Sequence, residues 1–194
     1  YEDGDWQHHW RIQTVHKRMP DEYAVLFGEL LREANLSFDH FDQAIIGSVV
    51  PQLTRGIHDM IASRSDTPPL VVSSNLNTGI EIRTDHPNRV GSDLIADAVA
   101  AYDRFQSNCS VVDFGTATTI TAVAEPGALL GTAIGAGLNV TIDALVSSTA
   151  QLPHIELAPP PNVIGKNTVH SMQSGLVLGY VCMMEGLIDR VKQE

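Results

Sequence analysis

Asp113-Phe114-Gly115-Thr116-Ala117-Thr118-Thr119 carries the residue types that a phosphate-and-cation site needs. It follows Ser110-Val111-Val112, an apolar run that reads as the end of a buried strand. Asp113 then sits at a strand's tip, where its carboxylate can hold a cation directly or through water. Gly115 lets the backbone approach a ligand, and nearby N–H and O–H groups can donate to phosphoryl oxygens. The same residues also suit a plain hairpin, with Asp113 only capping the turn.

Three more segments could carry chemistry. In Asp85-His86-Pro87-Asn88-Arg89-Val90-Gly91-Ser92-Asp93, Pro87 breaks any helix and Gly91-Ser92 lead into one. Asp93 therefore falls in a first helical turn, where the helix dipole stabilises negative charge. Such a carboxylate at a pocket rim can take a proton from a substrate hydroxyl, or be an ordinary first-turn acid. Gly131-Thr132-Ala133-Ile134-Gly135-Ala136-Gly137 suggests close approach of backbone to a ligand or another strand. It has neither the P-loop lysine nor dinucleotide spacing, so tight β-to-α packing also explains it. Gly165-Lys166-Asn167-Thr168 opens a long helical segment, with Asn167 or Thr168 as the N-cap. A helix start of this kind can also receive an anion. The eight histidines form no zinc pattern, since His8 and His9 are adjacent rather than one helical turn apart.

The elements that must position these residues belong to an ordinary globular chain: 194 residues, 43% hydrophobic and 18% charged. A net charge of −11, from 12 basic and 23 acidic residues, argues against nucleic acid or an anionic membrane as partner. It leaves room for a phosphorylated ligand, because local amides and a cation can dominate a pocket. The two cysteines, Cys109 and Cys182, favour a reducing, cytoplasmic compartment over a disulfide framework. No apolar run reaches membrane-spanning length, and no signal peptide is visible.

Helical spacing predicts helices over residues 22–34, 53–62, 91–105, 140–151 and 167–190, with Gly175 and Gly179 allowing close packing. Strands are expected within 6–15, at Ala44-Ile45-Ile46, at Leu70-Val71-Val72, and over 110–123 and 128–134. Glu2-Asp3-Gly4-Asp5 reads as a hairpin turn, and 153–163 as a proline-rich extended crossover. Strands alternating with helices imply an α/β chain, in two halves divided near residue 106.

In this order the motifs resemble those of the type III pantothenate kinases, of the actin/hexokinase/Hsp70 superfamily. The matching segments are Gly47 to Pro51, Pro87 to Ala101, Asp113 to Thr119, Gly131 to Gly137, Ala144 to Pro153 and Gly165 to Gly175. The resemblance covers nearly the whole chain and implies an actin-like fold of two ribonuclease-H-like domains with mixed sheets and flanking helices. Residues 1–105 would form the first domain, lacking its first strand, and 106–194 the second, incomplete at its end.

The resemblance further implies transfer of the γ-phosphoryl group of ATP to pantothenate, the first step of coenzyme A biosynthesis. By position, Asp93 matches the general base, and Gly91, Ser92, Asp93 and Thr168 match substrate contacts. Gly115 and Thr116 match nucleotide contacts, and Asp113 the holder of a monovalent cation (K⁺ or NH₄⁺). Mg²⁺ accompanies ATP, and the family works as a homodimer. Leu94 stands where the family has an arginine, and Thr84 where a tyrosine is usual. Thr132 and Ala136 replace a glycine and a proline. The family's first phosphate motif, Asp-x-Gly-Asn-Thr, is expected upstream of Tyr1. The alternatives are a catalytically silent nucleotide-binding or regulatory paralogue, and a kinase for another small acceptor.

Overall fold

The computed structural model describes residues 4–15 and 17–194. The chain divides into two compact units, one of residues 1–77 with 88–96 and the other of 78–87 with 97–194. It passes from one to the other inside a helix that the sequence places over a single span, 91–105.

In the first unit, α1 (Pro20–Glu33) and α2 (Pro51–Ala62) each begin on a proline, whose fixed φ suits the first helical position. The backbone N–H of Met19 donates to the Glu22 carboxylate at 2.8 Å, satisfying a donor ahead of the first turn. The two helices bury Tyr23, Ala24 and Met60 between them, surrounded by Phe27, Leu53, Ile57 and Ile61. Two short strands, β1 (Ile45–Ile46) and β2 (Leu70–Val71), pair in parallel, Ile45 opposite Leu70 and Ile46 opposite Val71. Ile46 is buried but Ile45 is 65% exposed, so the expected buried run is buried on one side only.

The strand expected between Trp6 and Val15 does not form. Trp10 and Ile12 line an apolar cavity of about 430 Å³ together with Phe27, Leu30 and Phe41, and no ladder partner pairs with them among the described residues. Of the hairpin expected just before, Glu2 and Asp3 lie outside the described residues, while Gly4 has a positive φ of 92°.

The helix that spans the division is α3 (Ser92–Phe105). The second unit holds a four-stranded mixed sheet in the order β3 (Glu81–Ile82), β6 (Ala128–Ala136), β5 (Ala117–Ala124), β4 (Cys109–Phe114). β3 runs parallel to β6, and β4, β5 and β6 form an antiparallel meander. Ile120, Val123, Ala128 and Leu129 are its most buried apolar side chains, joined by buried Thr118 and Thr121. Most buried hydroxyls have a hydrogen-bond partner. Thr121 has the Thr132 hydroxyl at 3.1 Å, and Thr118 has the Tyr180 hydroxyl.

The glycine link after β6 leads into α4 (Leu138–Ser147), whose Ile142 packs with Met172 and Leu176 in a second cluster. The proline-rich crossover follows without regular structure, and Gln173 donates to its Glu156 carbonyl at 3.1 Å. The single helix expected over 167–190 is instead α5 (Thr168–Gln173), a π-helical turn (Ser174–Leu178) and α6 (Gly179–Val191). Gly175 and Gly179 fall at this turn rather than in a packed contact: a Cβ on either would meet nothing within 4 Å. Two adjacent glycine sites lower the cost of widening a helix there.

Candidate active site

At the start of α3, the Gly91 carbonyl accepts the first intrahelical bond, from Ile95 N–H at 3.2 Å. Ser92 is buried and Asp93 is exposed. The Asp93 carboxylate turns back along the helix start and accepts from Leu94 N–H at 2.9 Å. It rests so close to the Gly91 α-carbon that a Cβ there would overlap Oδ1. The bond to Leu94 N–H holds the carboxylate at the helix start, and a side chain at Gly91 would displace it.

Gly91 and Ser92 line a cavity of about 660 Å³ within the first unit, a volume suited to a small organic ligand. Its wall continues through Ser48 and Val49, after β1, and the Ser73-Ser74-Asn75 loop, after β2. The Gly47-to-Pro51 segment is held by its own bonds. The Ser48 hydroxyl accepts from Val50 N–H at 3.1 Å, and the Val50 carbonyl takes the Thr54 hydroxyl at 2.9 Å. α2 adds Arg55 and His58 to the cavity, and the turn before α3 adds Asn88 and Arg89. Gly91 and Ser92 were expected here from the sequence; Arg89 stood in the same Asp85-to-Asp93 segment without a role, and Arg55 and His58 were not expected. Their only signal was the three-residue helical spacing of Arg55 and His58, which any solvated helix face shares.

In the second unit, Asp113, Gly115 and Thr116 stand together at the exposed β4–β5 turn. Asp113 pairs with Thr119 and Phe114 with Thr118, and Gly115 N–H closes the turn on the Ala117 carbonyl at 3.0 Å. Gly137, at the head of α4, donates its N–H to the Thr116 carbonyl at 2.9 Å. A Cβ on Gly137 would overlap the carbonyls of Gly115 and Thr116. The hairpin turn and the glycine link, separate in sequence, are thus one backbone assembly. Tyr180 of α6 braces it: its hydroxyl donates to the Ala136 carbonyl at 3.1 Å and is hydrogen-bonded to the Thr118 hydroxyl.

The Thr119 hydroxyl is buried without a hydrogen-bond partner among the described residues, directly across the ladder from Asp113. Cross-strand partners put their side chains on one face of the sheet. An orphaned hydroxyl beside a carboxylate, with Thr116 next in the turn, is an oxygen-only donor set. That chemistry fits a hard cation and excludes a soft one. Among the described residues no three His, Cys, Asp or Glu gather as a metal site. A divalent cation would accordingly lean on substrate phosphates for most of its ligands.

Thr168 is the first residue of α5 and is exposed. The cap itself is Asn167, whose Oδ1 accepts from His170 N–H at 2.9 Å. Thr84 follows β3, and its hydroxyl is also buried without a partner among the described residues. The structure thus collects the predicted residues into three local groups, 91–93, 113–116 and 168. The first lies in one unit and the other two in the second.

A family model described as type III pantothenate kinase matches residues 1–190. A protein of Anaeromyxobacter sp. (strain K), named type III pantothenate kinase, is 41% identical over 194 residues, covering 100% of this chain and 76% of its own. One from Myxococcus xanthus (strain DK1622), of the same name, is 41% identical over 186 residues, 96% of this chain and 73% of its own. A third, from Moorella thermoacetica (strain ATCC 39073 / JCM 9320) and also so named, is 39% identical over 186 residues, again 96% and 73%. With a family match along almost its whole length and relatives at this identity, the chain belongs to the type III pantothenate kinase family.

Proposed function

We propose that the chain phosphorylates pantothenate with ATP, giving 4'-phosphopantothenate and ADP at the first step of coenzyme A biosynthesis. The observation that carries this reading is the Asp93 carboxylate lodged against Gly91, which itself lines the 660 Å³ cavity, in a chain matching the family over residues 1–190.

Pantothenate's primary hydroxyl oxygen attacks the γ-phosphorus while the bond from that phosphorus to the ADP oxygen breaks. The hydroxyl proton passes to Asp93, the general base. Most of the catalysis is positioning and charge neutralisation, as phosphoryl transfer demands. Gly91 and Ser92 shape the acceptor pocket, and Thr168 contacts the acceptor. Gly115 and Thr116 present backbone and hydroxyl to the nucleotide phosphates. Asp113, with the orphaned Thr119 hydroxyl across the ladder, is the residue that would hold the monovalent cation, K⁺ or NH₄⁺. When bound with ATP, Mg²⁺ neutralises charge on the phosphoryl oxygens.

The same reading includes two ribonuclease-H-like domains, a homodimer and a cytoplasmic enzyme. The dimer is supported by Gly179 and Gly186, seven positions apart on one side of α6, where a Cβ would meet nothing within 4 Å and a second chain can approach closely. Among the described residues no helix is long and apolar enough to cross a membrane.

Incubation with pantothenate, ATP, Mg²⁺ and K⁺, followed by mass spectrometry, tests the reading. It predicts phosphopantothenate and ADP in equal amounts. ATP binding with no transfer to pantothenate would refute it.

A further inference from the structure

The cavity beside Asp93 has a charge pattern opposite to that of the chain. The protein carries 23 acidic and 12 basic residues, yet the wall contains Arg55, His58 and Arg89 and no aspartate or glutamate. Arg89 has no ion-pair partner among the described residues. Arg55 has only Asp59, one helical turn away at 4.0 Å, with both side chains exposed. An exposed pair at that distance is worth little and yields readily to a better-placed anion. Asp59 is in any case shared, since His58 Nδ1 lies 3.0 Å from its other oxygen.

The two guanidinium groups come from different elements, Arg55 from α2 and Arg89 from the 3₁₀ turn at Pro87–Arg89. Leu94, next to Asp93, supplies no charge. A cavity with a carboxylate beside Gly91 and guanidinium groups in its wall suits a ligand of a particular kind. It has an uncharged hydroxyl for Asp93 and an anion for the guanidinium groups. Guanidinium is the side chain best matched to a planar carboxylate, which it can bind through two parallel hydrogen bonds.

We propose that Arg55 and Arg89 recognise the carboxylate of the acceptor and make the site selective for an acid over its amide. This rests on the reading of the chain as a pantothenate kinase and names the residues that set its acceptor specificity. Pantothenate has its primary hydroxyl and its carboxylate at opposite ends of an extended chain, so both demands are met by one molecule.

Steady-state kinetics of the wild type, Arg55→Gln and Arg89→Gln would test this with two acceptors, pantothenate and its primary carboxamide. Each substitution is expected to raise KM for pantothenate roughly tenfold, with KM for the carboxamide and for ATP within about twofold of wild type. Arg55→Lys and Arg89→Lys should recover part of the loss, since charge is kept and only the fork is lost. Equal losses with acid and amide, a change confined to KM for ATP, or no change at all would overturn the proposal. If the wild type phosphorylates neither acceptor, the kinase reading fails by itself, and calorimetry with pantothenate alone decides the inference. Binding that is weakened in Arg89→Gln upholds it, and unaltered or absent binding overturns it.

Discussion

The backbone N–H of Gly137 donates to the carbonyl of Thr116 across 2.9 Å, joining the head of α4 to the β4–β5 turn. Two glycine-bearing segments that are some twenty positions apart in sequence are thereby one rigid piece around Asp113. A methyl group at Gly137 would overlap the carbonyls of both Gly115 and Thr116. Gly137→Ala should cost roughly 1–3 kcal/mol by urea denaturation, as overpacking does. The displaced turn should also raise KM for ATP more than KM for pantothenate. Unchanged stability and unchanged KM for ATP would show that the contact does not position the turn.

Tyr180 ties this piece to α6 through the Thr118 hydroxyl and the Ala136 carbonyl. Thr118 is 2% exposed, so removing its partner leaves a buried hydroxyl unsatisfied. Tyr180→Phe should therefore destabilise by about 1–3 kcal/mol. Adding Thr118→Val should recover much of that loss, because both ends of the bond are then gone. Strict additivity of the two changes would contradict the bond's role.

Gly91 holds open the space that the Asp93 carboxylate occupies. Gly91→Ala should push the carboxylate aside and lower kcat on the order of a hundredfold, the scale of an ångström-sized misplacement. Circular dichroism should remain that of the wild type, since Gly91 lies just outside α3 and the helix keeps its own bonds. A kcat equal to wild type would mean that the carboxylate's place is not set by this contact.

The two thiols should differ in reactivity. Burial raises the pKa of Cys109 on β4, whereas Cys182 is exposed on α6. Alkylation requires thiolate and access, so iodoacetamide should modify Cys182 first, by about tenfold or more in rate. Peptide mapping at short times would show it. Equal modification of both would contradict the partial burial of Cys109.

The helices and the hairpins were legible in the sequence where residues repeat a period over several turns. α1, α2 and α3 fall within a few residues of their apolar spacing, and Asp113-Phe114 and Ala117 to Ala124 take the places that alternation and Gly115 suggest. Of the short strands, β1 and β2 showed as brief apolar runs, but β3 did not: Glu81–Ile82 has no period, and its partners Ala128 and Leu129 lie far along the chain. The stretch from Trp6 to Val15 has strand-forming residues but no ladder, and Trp10 and Ile12 line a cavity together with Phe27 and Leu30 instead. A π turn at Ser174–Leu178 changes no periodicity strongly enough to be read from one sequence. At the site, Gly91, Ser92 and Asp93 could be placed because a helix start has a recognisable grammar. Arg55 and Arg89 could not, since only the fold brings an exposed helix face and a loop to one cavity wall.

The central claim is that Asp93 takes the acceptor's proton, and the kcat of Asp93→Asn with saturating pantothenate and ATP tests it most directly. Asparagine keeps the shape of the side chain and removes its capacity as a base. A fall in kcat of about 10²–10⁴-fold, with the thermal midpoint little changed, is the predicted result. A kcat within a few-fold of wild type would contradict the account.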